Sequence, residues 1–110
     1  MRGAVLNQFG AMLRKTCRDS DLIGRLGGEE FALLLPETPA DAAQHLATRI
    51  TEACRSIIID EPVDDVRCSC SLGVTEVRPD DDRLDSVLTR ADQALYAAKR
   101  AGRDRWSFAA

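Results

Sequence analysis

Apolar residues recur at helical spacing over residues 4–18, where Val5, Leu6, Phe9, Met12 and Leu13 fall on one face. Arg14, Lys15 and Arg18 gather toward the end of that stretch, where cations suit the negative end of a helix dipole. The pattern then changes to short apolar runs, "DLIGRL" at 21–26 and "ALLLP" at 32–36, the second stopped by proline. Only Gly27, Gly28, Glu29 and Glu30, with Phe31, stand between them, so the two runs predict a β-hairpin. Helical spacing returns in "ETPADAAQHLATRITEACRSI", with Thr38 read as N-cap, Pro39 at N1 and Asp41 at the capping-box position. Leu46, Ile50 and Ala53 carry its apolar stripe. After the acidic loop 60–66, residues 67–77 alternate, placing Cys68, Cys70, Leu72 and Val74 on one face of a strand. "RPDDD" reads as a solvated loop, and 84–101 as a helix with Leu84, Val87, Leu88, Ala91, Leu95 and Ala98 inward. Gly102 supplies its stop, and "RWSF" closes as a short strand.

The order α-β-β-α-β-α-β points to an α/β (α+β) fold. With one strand in front, its first elements become β-α-β-β-α-β, a ferredoxin-like palm: a central antiparallel sheet with helices packed on it. The expectation is therefore one partial domain over residues 1–110 whose first, central strand is missing. A sheet short of its middle strand has unpaired backbone groups, which predicts strand exchange or a homodimer.

Composition narrows the function. At 110 residues, 45% apolar and 30% charged, the chain is the size of one small globular domain. A net charge of −3 argues against general nucleic-acid binding, and no DNA partner is expected. No apolar run reaches membrane-spanning length and no signal peptide is evident, so a cytoplasmic location is expected. Cys17, Cys54, Cys68 and Cys70 lack CxxC pairing and read as reduced thiols.

"RLGGEEF", Arg25–Phe31, resembles the signature turn of the GGDEF family, the diguanylate cyclases, in its GGEEF form. "RDSD", Arg18–Asp21, resembles that family's RxxD inhibitory motif and ends at the usual distance before the two glycines. "CSLGVTEV" at 70–77 and "ADQALYAAKRAGRDR" at 91–105 are similar to its later signatures. The chain is identified on these grounds as similar to roughly the last two-thirds of a GGDEF domain. Family members open with an acidic DxD-type strand, then an Asn and an Asp used for guanine and metal. At residues 2–3, "RG" stands where the family shows "GD".

The resemblance implies condensation of two GTP molecules to cyclic di-GMP, each 3′-hydroxyl attacking the other nucleotide's α-phosphate while pyrophosphate leaves. Positioning and charge neutralisation dominate such phosphoryl transfer, so Mg²⁺ (or Mn²⁺) is the implied cofactor. Glu29 is implied as the metal-binding and catalytic carboxylate and Glu30 as its partner, because hard cations take oxygen ligands. Gly27 and Gly28 let the backbone approach the nucleotide, and Phe31 faces inward to anchor the turn. Lys99 and Arg103, four apart at the end of the last helix, would grip the triphosphate. Arg18, Asp21 and Arg49 are implied as the inhibitory cyclic di-GMP site, with the arginine fork on phosphate or guanine and Asp21 accepting from the guanine N1–H and N2–H.

A homodimer follows, because each copy brings one GTP, and an upstream sensory or receiver domain is the expected partner in an intact protein. Without the acidic strand the chain is expected to have little cyclase activity alone. A catalytically inactive cyclic di-GMP receptor is the alternative. His45 is expected to be exposed, and Tyr96 and Trp106 to be core or rim residues.

Overall fold

A computed structural model of the chain describes residues 3–27, 30–57 and 68–110. The elements follow the predicted order: α1 Gly3–Thr16, β1 Leu22–Gly27, β2 Glu30–Leu34, α2 Ala40–Arg55, β3 Leu72–Thr75, α3 Leu84–Arg100 and β4 Trp106–Ala109. The fold is the expected α/β palm type. β1 and β2 pair antiparallel, with Leu22 opposite Leu34 and Arg25 opposite Phe31. β3 pairs in parallel with β4, with Leu72 opposite Trp106 and Val74 opposite Phe108. Among the described residues the two pairs are not hydrogen-bonded to one another.

The core forms where the helical stripes meet. Phe9 and Leu13 of α1 are buried against Ile50 and Cys54 of α2, with Cys68 beside them. Each such side chain contributes about 1.5–3 kcal/mol by leaving water. Ile23, Phe31 and Leu33 from the hairpin close one side, and Leu72 and Cys70 the other. Phe31 meets Phe9 with ring centroids 5.3 Å apart and planes tilted by 56°, a favourable aromatic arrangement. The inward reading of Phe31 is thus borne out.

Several sequence expectations are corrected. Pro39, not Thr38, is the N-cap of α2, and no side chain caps that end, Asp41 included. The Thr38 hydroxyl is engaged elsewhere: it accepts from Arg18 and donates to the Pro36 carbonyl. Of the strand predicted over 67–77, residue 67 lies outside the described residues, and among those described the strand is regular over 72–75. Leu84 and Leu88 were expected inward, but both are exposed in the first turns of α3, whereas Ala94 and Ala98 further along are buried. On the strand side the contact requires glycine. Gly73 of β3 runs so close to α3 that a Cβ would overlap the Ala91 carbonyl oxygen and the Leu95 amide.

The "RPDDD" loop is not merely solvated. The Arg90 guanidinium makes two bonds to Asp81, at 3.1 and 2.7 Å, and also donates to Thr75 and to the Glu76 carbonyl. Asp81 further accepts from the Arg78 amide, and Thr75 donates to the Ala109 carbonyl. One arginine therefore ties α3, the loop and the end of β3, whose Thr75 reaches β4. The Arg90 side-chain bonds, with the Arg78 amide, hold the Asp81 carboxyl down at about 2. A depressed folded pKa stabilises above the unfolded value of about 3.9, and that stability is lost as pH falls toward 2. Asp81→Asn is expected to lower the midpoint of thermal unfolding at pH 7 and to flatten the acid limb between pH 4 and 2. A calorimetric pH series on both proteins checks this.

Candidate functional site

Three features border the hairpin: its tip, a groove between it and α1, and, at its other end, the turn bearing Arg18. The tip is shaped by its backbone. Gly27 has φ +150°, a conformation that favours glycine, and a Cβ there would meet nothing within 4 Å. The ladder also slips between Arg25 and Gly27, a bulge that re-aims the strand end. Glu30, paired opposite Gly27, is exposed at the first position of β2. Gly28 and Glu29 lie outside the described residues.

Beneath the hairpin a groove of about 380 Å³ runs between α1 and the strands, lined by Leu6, Asn7, Gly10, Arg14, Ile23, Arg25 and Phe31. It combines apolar walls, an amide and two cations, a chemistry that suits an anionic ligand with an aromatic part. Sequence reasoning did not find Asn7, Arg14 or Arg25. Their signal was faint: Arg14 read as a dipole-compensating cation, and Arg25 belonged to the strand only through its position beside the glycines.

The turn after α1 puts Arg18 and Asp21 in direct contact. The Arg18 Nη2 donates to Asp21 Oδ1 at 3.0 Å, and the Arg18 backbone N–H donates to Oδ2 at 2.8 Å. The same Nη2 also donates to the Pro36 carbonyl at 3.0 Å and to the Thr38 hydroxyl at 2.6 Å. Burial opposes ionisation of Asp21, but these bonds and the Arg18 charge outweigh it and hold the carboxyl below its usual range. The Asp21 side chain is only 2% exposed, whereas that of Arg18 is 57% exposed. Both carboxylate oxygens of Asp21 thus face Arg18, and the aspartate orients the arginine while the arginine faces outward.

Arg49 lies on the exposed side of α2 in a shallow hollow shared with Thr16, Glu52, Ala53 and Ser56. Its charge acts on the Cys17 thiol, whose pKa burial nonetheless raises. Thr16 and Cys17 lead directly into the Arg18 turn, so the described geometry sets Arg49 on the same end of α1 as Arg18.

Lys99 and Arg103 do not share a helix face. The helix ends at Arg100, and Gly102 (φ +127°), Arg103 (φ +60°) and Asp104 (φ +50°) all turn left-handed. The Gly102 amide bonds the Lys99 carbonyl and the Arg103 amide bonds the Ala98 carbonyl, a Schellman closure. Arg103 is therefore set by the turn, not by helical periodicity. The turn itself is anchored by Arg55, whose Nε donates to both Asp104 carboxylate oxygens at 3.0 and 2.9 Å. Other predicted residues fall as follows: His45 is exposed, Tyr96 is exposed under a cation–π contact from Arg100, and the Trp106 indole N–H donates to Thr48.

A divalent cation would suit the oxygen chemistry of Glu30. Among the described residues, however, no group of three carboxylate, thiol or imidazole side chains converges to hold one. Glu30 alone does not complete a cation site. No helix of the described residues is long and apolar enough to cross a membrane.

Comparison with known proteins gives one consistent answer. The family profile described as "Diguanylate cyclase, GGDEF domain" matches residues 3–105. The chain is 42% identical over 101 residues to "Diguanylate cyclase DgcP" of Pseudomonas aeruginosa, covering 92% of this chain and 15% of that protein. Among solved structures, "the active GGEEF domain of a diguanylate cyclase from Vibrio cholerae" matches with TM-score 0.84 and 30% identity, over 97% of this chain and 67% of that one. The GGDEF domain of DgcB from Caulobacter crescentus, in complex with c-di-GMP, matches with TM-score 0.87 and 29% identity, over 96% and 63%. The chain thus spans only a small part of the length of its curated relative DgcP.

Proposed function

Because the chain belongs to the GGDEF family of diguanylate cyclases, we propose that residues 1–110 are part of a domain that condenses two GTP to cyclic di-GMP and releases pyrophosphate. The observation that carries this reading is the hairpin: a glycine-opened tip bearing an exposed Glu30, anchored by Phe31 on Phe9, above a groove with Arg14 and Arg25. In this reading the groove takes one GTP, and Gly27 and Gly28 admit its phosphates. Glu29 and Glu30 would hold Mg²⁺ or Mn²⁺, which supplies charge neutralisation on the phosphates. Lys99 and Arg103 meet the triphosphate from the end of α3. Two copies are required, each with one GTP, so the working unit is a homodimer in the cytoplasm, governed by an upstream sensory or receiver domain.

The product site in this reading is Arg18 with Arg49, and Asp21 acts by holding Arg18. A guanidinium fixed by a buried carboxylate, a carbonyl and a hydroxyl has little rotamer freedom left to lose on binding phosphate. Arg18→Ala is expected to weaken cyclic di-GMP binding at least tenfold, the order of one charge-assisted bond. Asp21→Asn is expected to weaken it less, since it frees the arginine without removing it. Titration calorimetry with cyclic di-GMP checks both.

The second reading is a receptor that binds cyclic di-GMP without making it. It is favoured by the Arg18 turn, in which Asp21, the Pro36 carbonyl and the Thr38 hydroxyl hold the guanidinium. The deciding experiment incubates the protein with GTP and Mg²⁺ or Mn²⁺, follows cyclic di-GMP by chromatography, and titrates the product in parallel. Turnover supports the cyclase, binding without turnover supports the receptor, and neither overturns both.

A further inference from the structure

Three of the four cysteines meet in the core, and nothing in the cyclase reading uses them. Cys54, on the last turn of α2, is fully buried, and Cys68 is 5% exposed. Their sulfurs lie 3.1 Å apart although they stand fourteen positions apart in the chain. The Cys70 thiol, two residues on and only partly buried, acts on the same Cys54 sulfur. Two thiols in contact across fourteen positions of the chain differ from a lone buried cysteine. The Cys68–Cys70 segment is irregular and precedes the regular β3. A disulfide needs sulfurs about 2.05 Å apart, so an approach of about 1 Å converts the contact into a bond.

We propose that Cys54 and Cys68 are a reversible dithiol–disulfide pair, oxidised by peroxide-class oxidants and reduced by small thiols. Cys68, the more accessible of the two, attacks the peroxide O–O bond. Its sulfur becomes a sulfenic acid, and the departing hydroxide takes a proton to become water. The Cys54 sulfur then attacks the Cys68 sulfur. The S–O bond breaks, its hydroxyl leaves as a second water with the Cys54 proton, and the S–S bond forms. The sulfurs together lose two electrons and the peroxide gains them. Two thiol exchanges restore the dithiol and leave the small thiol as its own disulfide.

The surroundings set the speed. Burial, with the Cys54 contact, pushes the Cys68 thiol up to about 12, and the Cys70 contact and burial raise Cys54 further. Thiolate is the reactive form, so the pair oxidises slowly and answers sustained oxidant rather than brief pulses. The bond would pin the last turn of α2 to the segment leading into β3. Arg55, the next residue after Cys54, holds Asp104 in the turn that carries Arg103, so the bridge bears on that turn as well.

The test uses the whole chain, reduced and then incubated with hydrogen peroxide over hours. It is denatured in N-ethylmaleimide and digested with trypsin. Cleavage at arginine puts Cys54 on peptide 50–55 and Cys68 with Cys70 on peptide 68–83, where Pro79 blocks cleavage after Arg78. The expected product is a Cys54–Cys68 cross-linked peptide, assigned by fragmentation between Cys68 and Cys70, with Cys17 still alkylated. The midpoint of thermal unfolding is expected to rise by roughly 5 °C and to return with dithiothreitol. Cys70→Ser is expected to keep the bridge and Cys68→Ser to abolish it. Full alkylation of all cysteines after peroxide, a bridge through Cys70 or Cys17, or sulfinic acid at Cys68 without a bridge overturns the proposal. The wild-type map decides even if Cys68→Ser does not fold.

Discussion

Gly73→Ala is expected to leave the protein unfolded or nearly so. The added methyl has no direction of escape, because it would overlap the backbone of α3 at Ala91 and Leu95, and Leu95 Cα would lie 3.0 Å away. Side chains can rotate out of an overlap, whereas helix backbone must translate. That translation would open the contact of α3 with β3 and would disturb β4, which pairs with β3 and also packs on α3. Overpacking costs 1–3 kcal/mol where neighbours can give, and about 3 kcal/mol or more is expected against backbone. A domain with only about 5–15 kcal/mol of stability can lose most of it this way. Circular dichroism melts decide: a midpoint within about 2 °C of the parent would show that α3 can move aside at little cost.

Under the cyclase reading, Glu29→Ala is expected to reduce cyclic di-GMP formation at least about a hundredfold. That is the order of losing one preorganised charge-stabilising contact in a transition state. Phosphoryl transfer leaves the protein little to do except place charge and reactants, so a removed carboxylate ligand is not replaced by another route. Glu30→Ala is expected to be damaging as well, while cyclic di-GMP binding at Arg18 stays within about twofold in both variants. The paired readout matters: turnover lost with binding kept assigns the glutamates to chemistry, whereas loss of both signals a collapsed hairpin. Unchanged turnover in Glu29→Ala would remove the tip from the mechanism.

The extent of what was legible differs between elements. The amphipathic stripe of Phe9 and Leu13, the hairpin around its paired glycines, and the stop at Gly102 could all be read from the chain. Each depends on local rules: helical period, turn chemistry and the left-handed freedom of glycine. The contact of Arg18 with Asp21 is equally local, since the two are three apart in a single turn. Asp81 and Arg90 were missed because an ion pair nine positions apart spans a loop whose path no local rule supplies.

Leu84 and Leu88 were misjudged because periodicity names a face but not what lies opposite it. The strands lie along the later turns of α3, with Gly73 against Ala91 and Leu95, and Leu84 and Leu88 near its start are left exposed. Local sequence alone thus determined the elements, their order and the family motifs, since those rest on contacts a few residues long. Only the tertiary structure decided that Asp21 is buried behind an outward-facing Arg18 and that Cys54 meets Cys68. Those facts depend on chain segments brought together by packing, and the free energy that selects them belongs to the whole core.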